Sequence, residues 1–356
     1  MLLTIVFIVF AILSYYDKDN DVGARFCVVI FGLISIVFSV TTSDFPIYKT
    51  FYNDVESLDQ ILLGNHQVFV NDSNNFEFGY KALNSFFKMF VPYVEVLYIC
   101  CNLSIVILLY VYFRNKADNF YKLMLPYFAF FFIGVEAGII RQAIAVVIFY
   151  FSLIFVTNKK VFFYLLITVI CMLFHLSAII LPLLYFIINR TYPNKILIIT
   201  FCIGLLLYLQ IIPYSVSEAV SGLSEYLLPN AASKLVFYLT QAGELGAPKR
   251  LNLSIFENTA MFFTLLLMKR RLQSENKWTE FLNICLNLSL IYIFLYLYFF
   301  ELYTFIYRVN YYFIFFKFFI IVKYIENEVG WKRIYLNTAL VMYCAIMMIS
   351  KILQGH

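Results

Sequence analysis

The residue with the clearest chemical potential in this sequence is Arg141, which lies inside the long apolar run Leu123–Val156. A charge near the centre of a bilayer costs about 2.5–3.5 kcal/mol on insertion scales, so it is retained mainly where it faces a cavity, a partner or a substrate. In a helix, Gly134, Gly138, Arg141 and Ala145 would share one face. The glycines would also let the helix break and free backbone N–H groups for an anion. The pattern predicts an anion site, with phosphate as the favoured ligand.

A second interpretation of Arg141 is structural. Glu136 lies in the same apolar run, and another helix could also supply a carboxylate. An arginine paired with either would hold helices together without binding a ligand. Both interpretations stay open at this point.

The polar segment 43–95 contains a second group of residues that could bind a substrate. It opens with SDFPIYKTFYND, and on a helix Asp44, Tyr48 and Tyr52 would lie on one face at intervals of four. A carboxylate beside two phenol rings can hydrogen-bond sugar hydroxyls while the rings cover sugar C–H faces. An aromatic belt at the membrane interface is the alternative, because tyrosine is favoured there.

The same segment continues as FEFGYKALNSFFK, which predicts an amphipathic helix at the membrane interface. Its apolar and polar faces alternate with helical spacing: Phe76, Tyr80, Leu83 and Phe87 on one side, and Glu77, Lys81, Asn84 and Lys88 on the other. At the helix N-terminus, Glu77 would complement the helix dipole, and this interpretation is favoured over a catalytic role.

Three further residues could join Arg141. His175 lies in MLFHLSAIILP, near the predicted outer turn of a hairpin, where it could line the same cavity or serve as a packing residue. Arg250 and Arg308 fall at predicted outer membrane edges, where each could also be an interface anchor. Three converging guanidinium groups would suit a diphosphate, whose oxygens they bind bidentately.

The elements that must position these residues are membrane helices. Of the chain's 356 residues, 63% are hydrophobic and only 13% are charged, and apolar runs long enough to span a bilayer recur. The seven cysteines and three histidines show neither CxxC nor metal-ligand spacing, so we expect no metal and no cofactor. Walker A, GxGxxG and HExxH motifs are absent, which argues against ATP-driven transport and dinucleotide chemistry.

The distribution of charge predicts the topology. When successive turns are placed on alternate sides, most basic residues collect on one side, which marks the cytoplasm. This parity requires that Leu123–Val156 and Val161–Ile188 each cross twice, with a break near Gly134–Gly138 in the first. We therefore expect an all-α polytopic integral membrane protein, a single domain over 1–356 with about 12 crossings (11–13) and both ends outside. Segments 43–95 and 213–252 become extracytoplasmic loops that carry short interfacial helices.

Five motifs in order resemble the EpsG family of bacterial polysaccharide-synthesis proteins, usually grouped with Wzy-type polymerases. They are SDFPIYKTFYN, FEFGYKALN, IIRQAIA, LFHLSAIILP and RVNYYF, and together they cover roughly Ser43 to Phe313. The resemblance implies a GT-C-like glycosyltransferase that acts on polyprenyl-diphosphate-linked glycans at the outer face. Carried across by position, it selects Asp44, Tyr48, Glu77, Gly79, Tyr80, Arg141, Gln142, His175 and Arg308.

The resulting hypothesis is polymerisation of capsule, exopolysaccharide or O-antigen repeat units in the bacterial cytoplasmic (inner) membrane. Donor and acceptor are oligosaccharides on a polyprenyl diphosphate such as undecaprenyl diphosphate. Arg141 stabilises the leaving diphosphate, with Arg308 and Arg250 as helpers, and His175, Glu77 or Asp44 is the base. Membrane lipid, and a chain-length regulator and flippase of the same pathway, are the expected partners; nucleic acid is not. A glycan ligase with the same donor and a lipid-linked-oligosaccharide flippase are the alternatives.

Overall fold

The computed structural model describes residues 2–15, 44–71, 76–136, 139–212 and 252–353, with a few single residues between 30 and 42. Every element in these ranges is helical. The α-helices are α1 Leu2–Leu13, α2 Phe45–Asp54, α3 Leu58–Leu62, α4 Gln67–Val70, α5 Phe78–Lys88, α6 Val94–Arg114, α7 Phe120–Pro126, α8 Ile140–Thr157, α9 Val161–Phe174, α10 Leu181–Ile188, α11 Asn194–Tyr208, α12 Leu253–Ser274, α13 Glu280–Tyr298, α14 Tyr303–Asn310, α15 Phe316–Asn327 and α16 Gly330–Leu353. A π-helix, Tyr127–Glu136, continues α7, and 3₁₀ turns lie at Leu176–Ile180 and Phe300–Leu302.

Four of the described helices are long and apolar enough to cross a membrane: Val94–Arg114, Ile140–Thr157, Glu280–Tyr298 and Gly330–Ser350. Shorter apolar helices, such as Val161–Phe174 and Asn194–Tyr208, accompany them. The protein is therefore an all-helical membrane protein. The count of about 12 crossings stays a prediction, and the expected loop 213–252 lies almost entirely outside the described residues.

The chain forms two compact units, Met1–Tyr185 with Val322–His356 (unit 1) and Phe186–Ile321 (unit 2). In unit 1, α6 and α8 begin at the same end, because Tyr98 of α6 and Ile140 of α8 belong to one buried cluster with α2. The α7–π-helix segment runs between the end of α6 and the start of α8, and α9 returns along α8. The first polar loop, 43–95, folds over this end as the four short helices α2 to α5.

The predicted break in the run Leu123–Val156 is present. The π-helix ends at Glu136 and α8 begins at Ile140, and Ile139 before α8 is not helical. Arg141 is the second residue of α8.

The run Val161–Ile188 forms the expected helical pair, with His175 at its tip. α9 ends at Phe174, and the 3₁₀ turn with α10 folds back along it. The Tyr164 hydroxyl donates to the Leu181 carbonyl at 2.7 Å, and the Tyr164 and Tyr185 rings lie 5.4 Å apart. These contacts bind the two arms of the hairpin and hold its tip beside α5.

The polar face predicted for α5 is not the exposed one. Lys81 and Asn84, predicted on the polar outer face, are buried, whereas Phe78 and Phe86 are exposed. The Lys81 ammonium donates to the carbonyl of Phe69 in α4 at 3.0 Å, so α4 lies on that side of the helix. α5 is thus packed on the face where an interfacial helix would meet water.

In unit 2, the α11 and α13 helices pack closely where Gly204 faces the Tyr298 ring. A Cβ at Gly204 would lie 2.6 Å from that ring, so the contact needs a glycine. The apolar run Val309–Val322, which would suit one continuous span, is divided, because α14 ends at Asn310 and α15 begins at Phe316. Consecutive turns separate them, and the uniformly apolar sequence there contains no signal for a break.

Candidate active site

Arg141 lies at the centre of the site in unit 1. Its Nη1 forms an ion pair with Glu77 Oε2, and its Nε–H donates to the Tyr48 hydroxyl at 3.3 Å. The side chains of Arg141 and Glu77 are 18% and 15% exposed, so the pair is sheltered yet reachable. The carboxylate partner comes from another helix of the fold, α5, as the structural interpretation required. The side chain of Glu136, the other partner considered, lies outside the described residues.

Aromatic rings form a wall around the guanidinium. Arg141 Cζ lies 4.7 Å from the Phe76 ring centre, 5.6 Å from Tyr48 and 5.8 Å from Tyr80. A cation over a ring face is attracted by the ring quadrupole, more strongly when water is excluded. Tyr48, Phe76 and Tyr80 also contact one another at ring distances of 5.4–5.5 Å. The wall fixes the guanidinium plane and leaves its edges for hydrogen bonds.

Tyr48 is a protonated phenol in this setting. Burial raises its pKa above the ordinary value, and Asp44 and Glu77 add to the rise, whereas Arg141 opposes it. Because its oxygen accepts a hydrogen bond from Arg141, the phenolic proton can be donated to another group. Tyr48 therefore combines an aromatic contact with one hydrogen-bond donor beside the cation.

Glu77 connects three elements. It is the N-cap residue of α5, yet its side chain makes no cap hydrogen bond. Its Oε1 accepts from the Leu176 backbone N–H at 3.2 Å, and its Oε2 binds Arg141. Glu77 lies at the helix N-terminus as predicted. Its side chain, however, binds Arg141 and the hairpin tip and does not cap its own helix.

Gly79 allows α5 to approach the hairpin. A Cβ at this position would lie 2.7 Å from the Leu173 carbonyl oxygen, closer than real Cβ contacts allow. Leu173 is two residues before His175, so this approach brings Glu77 within reach of Leu176. The glycine, selected by the family resemblance as a substrate-binding position, acts here through close packing.

His175 occupies the tip in extended conformation, at φ −155° and ψ 125°. Its Nδ1 accepts from the Ser177 backbone N–H at 3.3 Å and lies 2.6 Å from Ser177 Oγ. A backbone N–H can only donate, so Nδ1 carries no proton and the neutral ring holds its proton on Nε2. His175 is thereby prepared as a hydrogen-bond donor, one residue from the backbone N–H that binds Glu77.

The other predicted residues of unit 1 differ in their surroundings. Asp44 is the partly exposed N-cap residue of α2, without a side-chain cap hydrogen bond. Tyr52 is fully buried, and its hydroxyl donates to the Val91 carbonyl at 2.6 Å. Gln142 is fully buried in α8. The face of α2 that carries Tyr48 and Tyr52 is thus covered by other helices, neither an open sugar platform nor an interfacial belt.

The two additional arginines belong to unit 2. Arg308 is partly exposed near the end of α14 in unit 2. Arg250 lies outside the described residues. Their convergence with Arg141 stays a prediction.

An apolar cleft of about 200 Å³ lies next to the site. Leu83 and Phe87 of α5, Ile144 of α8 and Phe174 of α9 line it, with Leu108 of α6 toward its lipid-facing side. Ile144 is one helical turn beyond Arg141, and Phe174 directly precedes His175. The polar site therefore lies beside an apolar surface that suits a hydrocarbon chain.

The argument about intramembrane charge also applies to Lys317, which lies inside an apolar run and was not among the predicted site residues. Lys317 is buried and pairs with Glu257 at 3.2 Å, and its ammonium lies 5.5 Å from the Tyr292 ring. Phe76, the ring nearest Arg141, had likewise been assigned only to an apolar stripe. In the described part of the chain, no cluster of His, Cys, Asp and Glu could hold a metal ion.

The fold and the site define an all-helical membrane protein with a sheltered arginine–carboxylate pair beside an apolar cleft. A family model described as the EpsG family matches residues 24–356. The chain therefore belongs to the EpsG family, a Wzy-type polysaccharide polymerase family, which confirms the resemblance. Membership implies a membrane glycosyltransferase-type polymerase with a lipid-linked oligosaccharide substrate. Comparison with curated proteins and with solved structures gave no match.

Proposed function

We propose that this protein polymerises polyprenyl-diphosphate-linked repeat units by glycosyl transfer at the outer face of the bacterial cytoplasmic membrane. The observation that carries the proposal is the Arg141 guanidinium, held by Glu77 and three aromatic rings and still partly exposed beside an apolar cleft. Its reaction forms a bond between an acceptor hydroxyl oxygen and the anomeric carbon of the donor. The bond from that carbon to the diphosphate breaks, and its electron pair leaves with the diphosphate.

Arg141 stabilises the negative charge that develops on the leaving diphosphate. Preorganised charged donors in a sheltered site act strongly on developing charge, because they need no reorganisation during the reaction. The aromatic wall and the bond to Tyr48 fix the guanidinium before substrate arrives. The phenolic proton of Tyr48 supplies a second donor to the same oxygens.

The acceptor hydroxyl transfers its proton to a carboxylate. Glu77 is engaged with Arg141 and Leu176, so its role is to orient the cation. Asp44 is partly exposed, and its charge acts on Tyr48, which contacts Arg141 directly. We assign Asp44 as the base ahead of Glu77. His175 binds a substrate oxygen through its Nε2–H, since its Nδ1 is held as an acceptor.

The apolar cleft receives the first isoprene units of the lipid carrier. Two of its lining side chains lie near the site, because Ile144 is one helical turn from Arg141 and Phe174 directly precedes His175. A diphosphate at the arginine would therefore extend its hydrocarbon into the cleft. Burial of hydrocarbon against such a surface contributes about 25 cal/mol per Å².

The charges of unit 1 support the outward orientation. α6 and α8 both begin at the site and both end in basic segments, with Arg114 as the last residue of α6, Lys116 just after it, and Lys159 and Lys160 after α8. Basic turns favour the cytoplasm, so the opposite ends favour the outside. α6 has 21 residues, which is about 30 Å of helix and the thickness of a bilayer core.

The test uses purified protein with a defined lipid-linked repeat unit and compares wild type with Arg141→Ala, Arg141→Lys and Arg270→Ala. Arg270 is an exposed residue in the C-terminal part of α12 and serves as the matched control. We expect a ladder of polymer from wild type and from Arg270→Ala. Both Arg141 variants should lose about 100-fold or more in rate, the cost typical of removing one oxyanion donor.

A full ladder from folded Arg141→Ala would reject the assignment. Transfer of a preformed glycan to another acceptor without a ladder would identify a ligase. Movement of the lipid-linked unit across the bilayer without new glycosidic bonds would identify a flippase.

A further inference from the structure

A second polar cavity lies in unit 1 at the end away from Arg141. Its volume is about 420 Å³, and its polar lining consists of Ser14, Tyr15, Lys122, Arg333 and Asn337. Lys122 follows the turn after α6, whereas Tyr98 and the active site are at the start of that helix. The cavity is therefore separated from Arg141 by roughly the length of α6, which is about 30 Å.

The charges that line this cavity are cationic. Lys122 is buried, at 1% exposure, and Arg333 is partly exposed at the start of α16. No described carboxylate lines it. Glu326 is near enough for Lys122 and Lys323 to affect its pKa, so the lysine charge is partly balanced from outside the cavity. Basic recesses between helices at the cytoplasmic side favour phosphate headgroups of lipids.

Asn337 adds a hydrogen-bond acceptor to the cavity. It is 1% exposed, and its Nδ2 donates to Ser14 Oγ at 3.0 Å. Its Oδ1 is buried and accepts no hydrogen bond within the described part of the chain. A buried acceptor without a donor is costly, so this oxygen favours a ligand that carries a hydroxyl.

An apolar groove adjoins the polar cavity at Tyr15, which lines both. The groove has a volume of about 540 Å³, and Phe7, Ala11 and Ile12 of α1 line it together with Val341 of α16. The Tyr15 hydroxyl lies 2.7 Å from Thr338 Oγ1, and this contact links α1 to α16 at the junction. Cations, a hydroxyl acceptor and an adjoining apolar groove match the parts of one amphiphilic molecule.

We propose that the space between α1, the start of α7 and α16 binds an anionic membrane phospholipid with a hydroxylated headgroup. Lys122 and Arg333 bind the phosphate, Asn337 accepts from the headgroup hydroxyl, and the groove along α1 takes an acyl chain. The site is distinct from the proposed catalytic site and does not depend on it. Its ligand is a structural or regulatory lipid and undergoes no reaction there.

The test is calorimetric titration of the purified full-length protein in a neutral detergent with three probes. Dihexanoyl-phosphatidylglycerol carries phosphate, hydroxyls and acyl chains, dihexanoyl-phosphatidylcholine carries the same chains without net charge, and inorganic phosphate carries no chains. We expect saturable binding of phosphatidylglycerol and at least tenfold weaker binding of the other two, roughly the value of a charge-assisted hydrogen-bonded contact.

Three variants localise the binding. Arg333→Gln should weaken phosphatidylglycerol about tenfold. Lys332→Gln is the matched control, because the neighbouring lysine is exposed and paired with Glu328, and it should leave binding unchanged. Ala11→Phe fills the groove and should weaken phosphatidylglycerol while leaving the weaker binding of inorganic phosphate as it was.

Equal binding of the two lipids, or unchanged binding by Arg333→Gln, would overturn the site. Two results together would overturn the lipid assignment in favour of a free phosphate. Inorganic phosphate would bind as tightly as phosphatidylglycerol, and Ala11→Phe would leave phosphatidylglycerol binding unchanged. Arg141→Ala should bind phosphatidylglycerol like wild type even though we expect it to lose polymerisation. The two proposals therefore fail independently.

Discussion

At the scale of single residues, Arg141 and Glu77 admit two interpretations that make different demands on stability and activity. A sheltered ion pair can be a packing device, and replacing such a pair with apolar residues is often neutral or stabilising. A catalytic cation cannot be replaced in that way. The partial exposure of both side chains and the adjoining cleft favour the catalytic interpretation.

The double variant Arg141→Met/Glu77→Leu separates the two interpretations. It removes both charges together and fills the space with hydrocarbon, so we expect its thermal unfolding midpoint to stay near that of wild type. Polymerisation should nevertheless fall to background. The measurements are thermal unfolding in detergent and ladder formation on a gel.

Each single variant leaves the other charge without its partner. Glu77→Gln and Arg141→Met should lower stability by about 1–3 kcal/mol, less than for a fully buried pair because water reaches both groups. Activity that returns in the double variant would assign the pair to packing alone.

Tyr48 and Tyr52 provide a second comparison at this scale. Tyr48→Phe removes the hydroxyl that contacts Arg141 and should reduce the polymerisation rate about tenfold, the value of roughly one hydrogen bond. Tyr52→Phe removes a hydroxyl bonded to the Val91 carbonyl, so it should cost about 1 kcal/mol of stability with little effect on rate. Rate constants and unfolding midpoints of both variants decide the matter, and a rate loss confined to Tyr52→Phe would reverse the assignment.

At the scale of elements, the approach of α5 to the tip of the α9–α10 hairpin positions Glu77. Gly79→Ala introduces a methyl group where the Leu173 carbonyl oxygen lies only 2.7 Å away, and a backbone atom cannot move aside cheaply. We expect a loss of about 1–3 kcal/mol in stability and a larger proportional loss of activity. Ala82→Ser, on the same helix but partly exposed, should change stability by less than about 0.5 kcal/mol. Equal behaviour of the two variants would argue against the close approach.

The contact between α15 and the start of α7 predicts a pH dependence. Glu326 Oε1 accepts the backbone N–H groups of Asp118 and Asn119 at 2.8 and 3.0 Å. Burial raises the pKa of this carboxyl from 4.5 to about 7, and Asp118 adds to the rise. Between these values the folded protein holds a proton that the unfolded chain has released, so stability falls as pH rises from about 4.5 to 7.

Thermal unfolding midpoints measured across that pH range test this prediction. Glu326→Gln should flatten the slope, whereas Glu280→Gln, at the exposed start of α13, should retain it. If the unfolding midpoint of Glu326→Gln still falls with rising pH as in wild type, another titratable group is responsible.

The sequence predicted elements well where it contained a breaker or a charge, and poorly elsewhere. Gly134–Gly138 marked the break before α8, and the parity of the basic turns predicted the hairpin around His175. The turns between α14 and α15 carried no such signal, because the residues there are apolar and aromatic throughout. The burial of Lys81 involves a contact with Phe69 of α4, which local periodicity cannot reveal.

The candidate site was predictable as a set of residues and not as a geometry. Arg141 was evident from the cost of an intramembrane charge, and the family motifs added Glu77, Gly79 and His175. The pairing of Arg141 with Glu77 joins positions 64 residues apart, and only the packing of α5 against the hairpin determines it. Lys317 could have been found by the same argument as Arg141, since it too lies in an apolar run.

At the scale of the whole molecule, the proposed orientation can be tested by labelling. In a variant without other cysteines, Asn65→Cys lies in the first polar loop and Asn158→Cys in a basic turn, and both positions are exposed. A membrane-impermeant maleimide added to intact cells should label Asn65→Cys only. After permeabilisation both should be labelled. Labelling of Asn158→Cys alone in intact cells would place the site on the cytoplasmic side.

The pairing of Arg141 with Glu77 also has a consequence for selectivity, because it opposes the binding of the surrounding phospholipids to the arginine. Ordinary phospholipids are abundant and singly charged, and each would have to displace a carboxylate that is covalently tethered and so present at high effective concentration. A diphosphate offers more charge and more oxygens to the guanidinium than a single phosphate does. It can bind Arg141 together with Glu77, whereas a phospholipid headgroup gains no binding free energy by competing with that carboxylate. Under the proposed function, the ion pair therefore disfavours binding of ordinary phospholipids and favours the diphosphate-linked carrier.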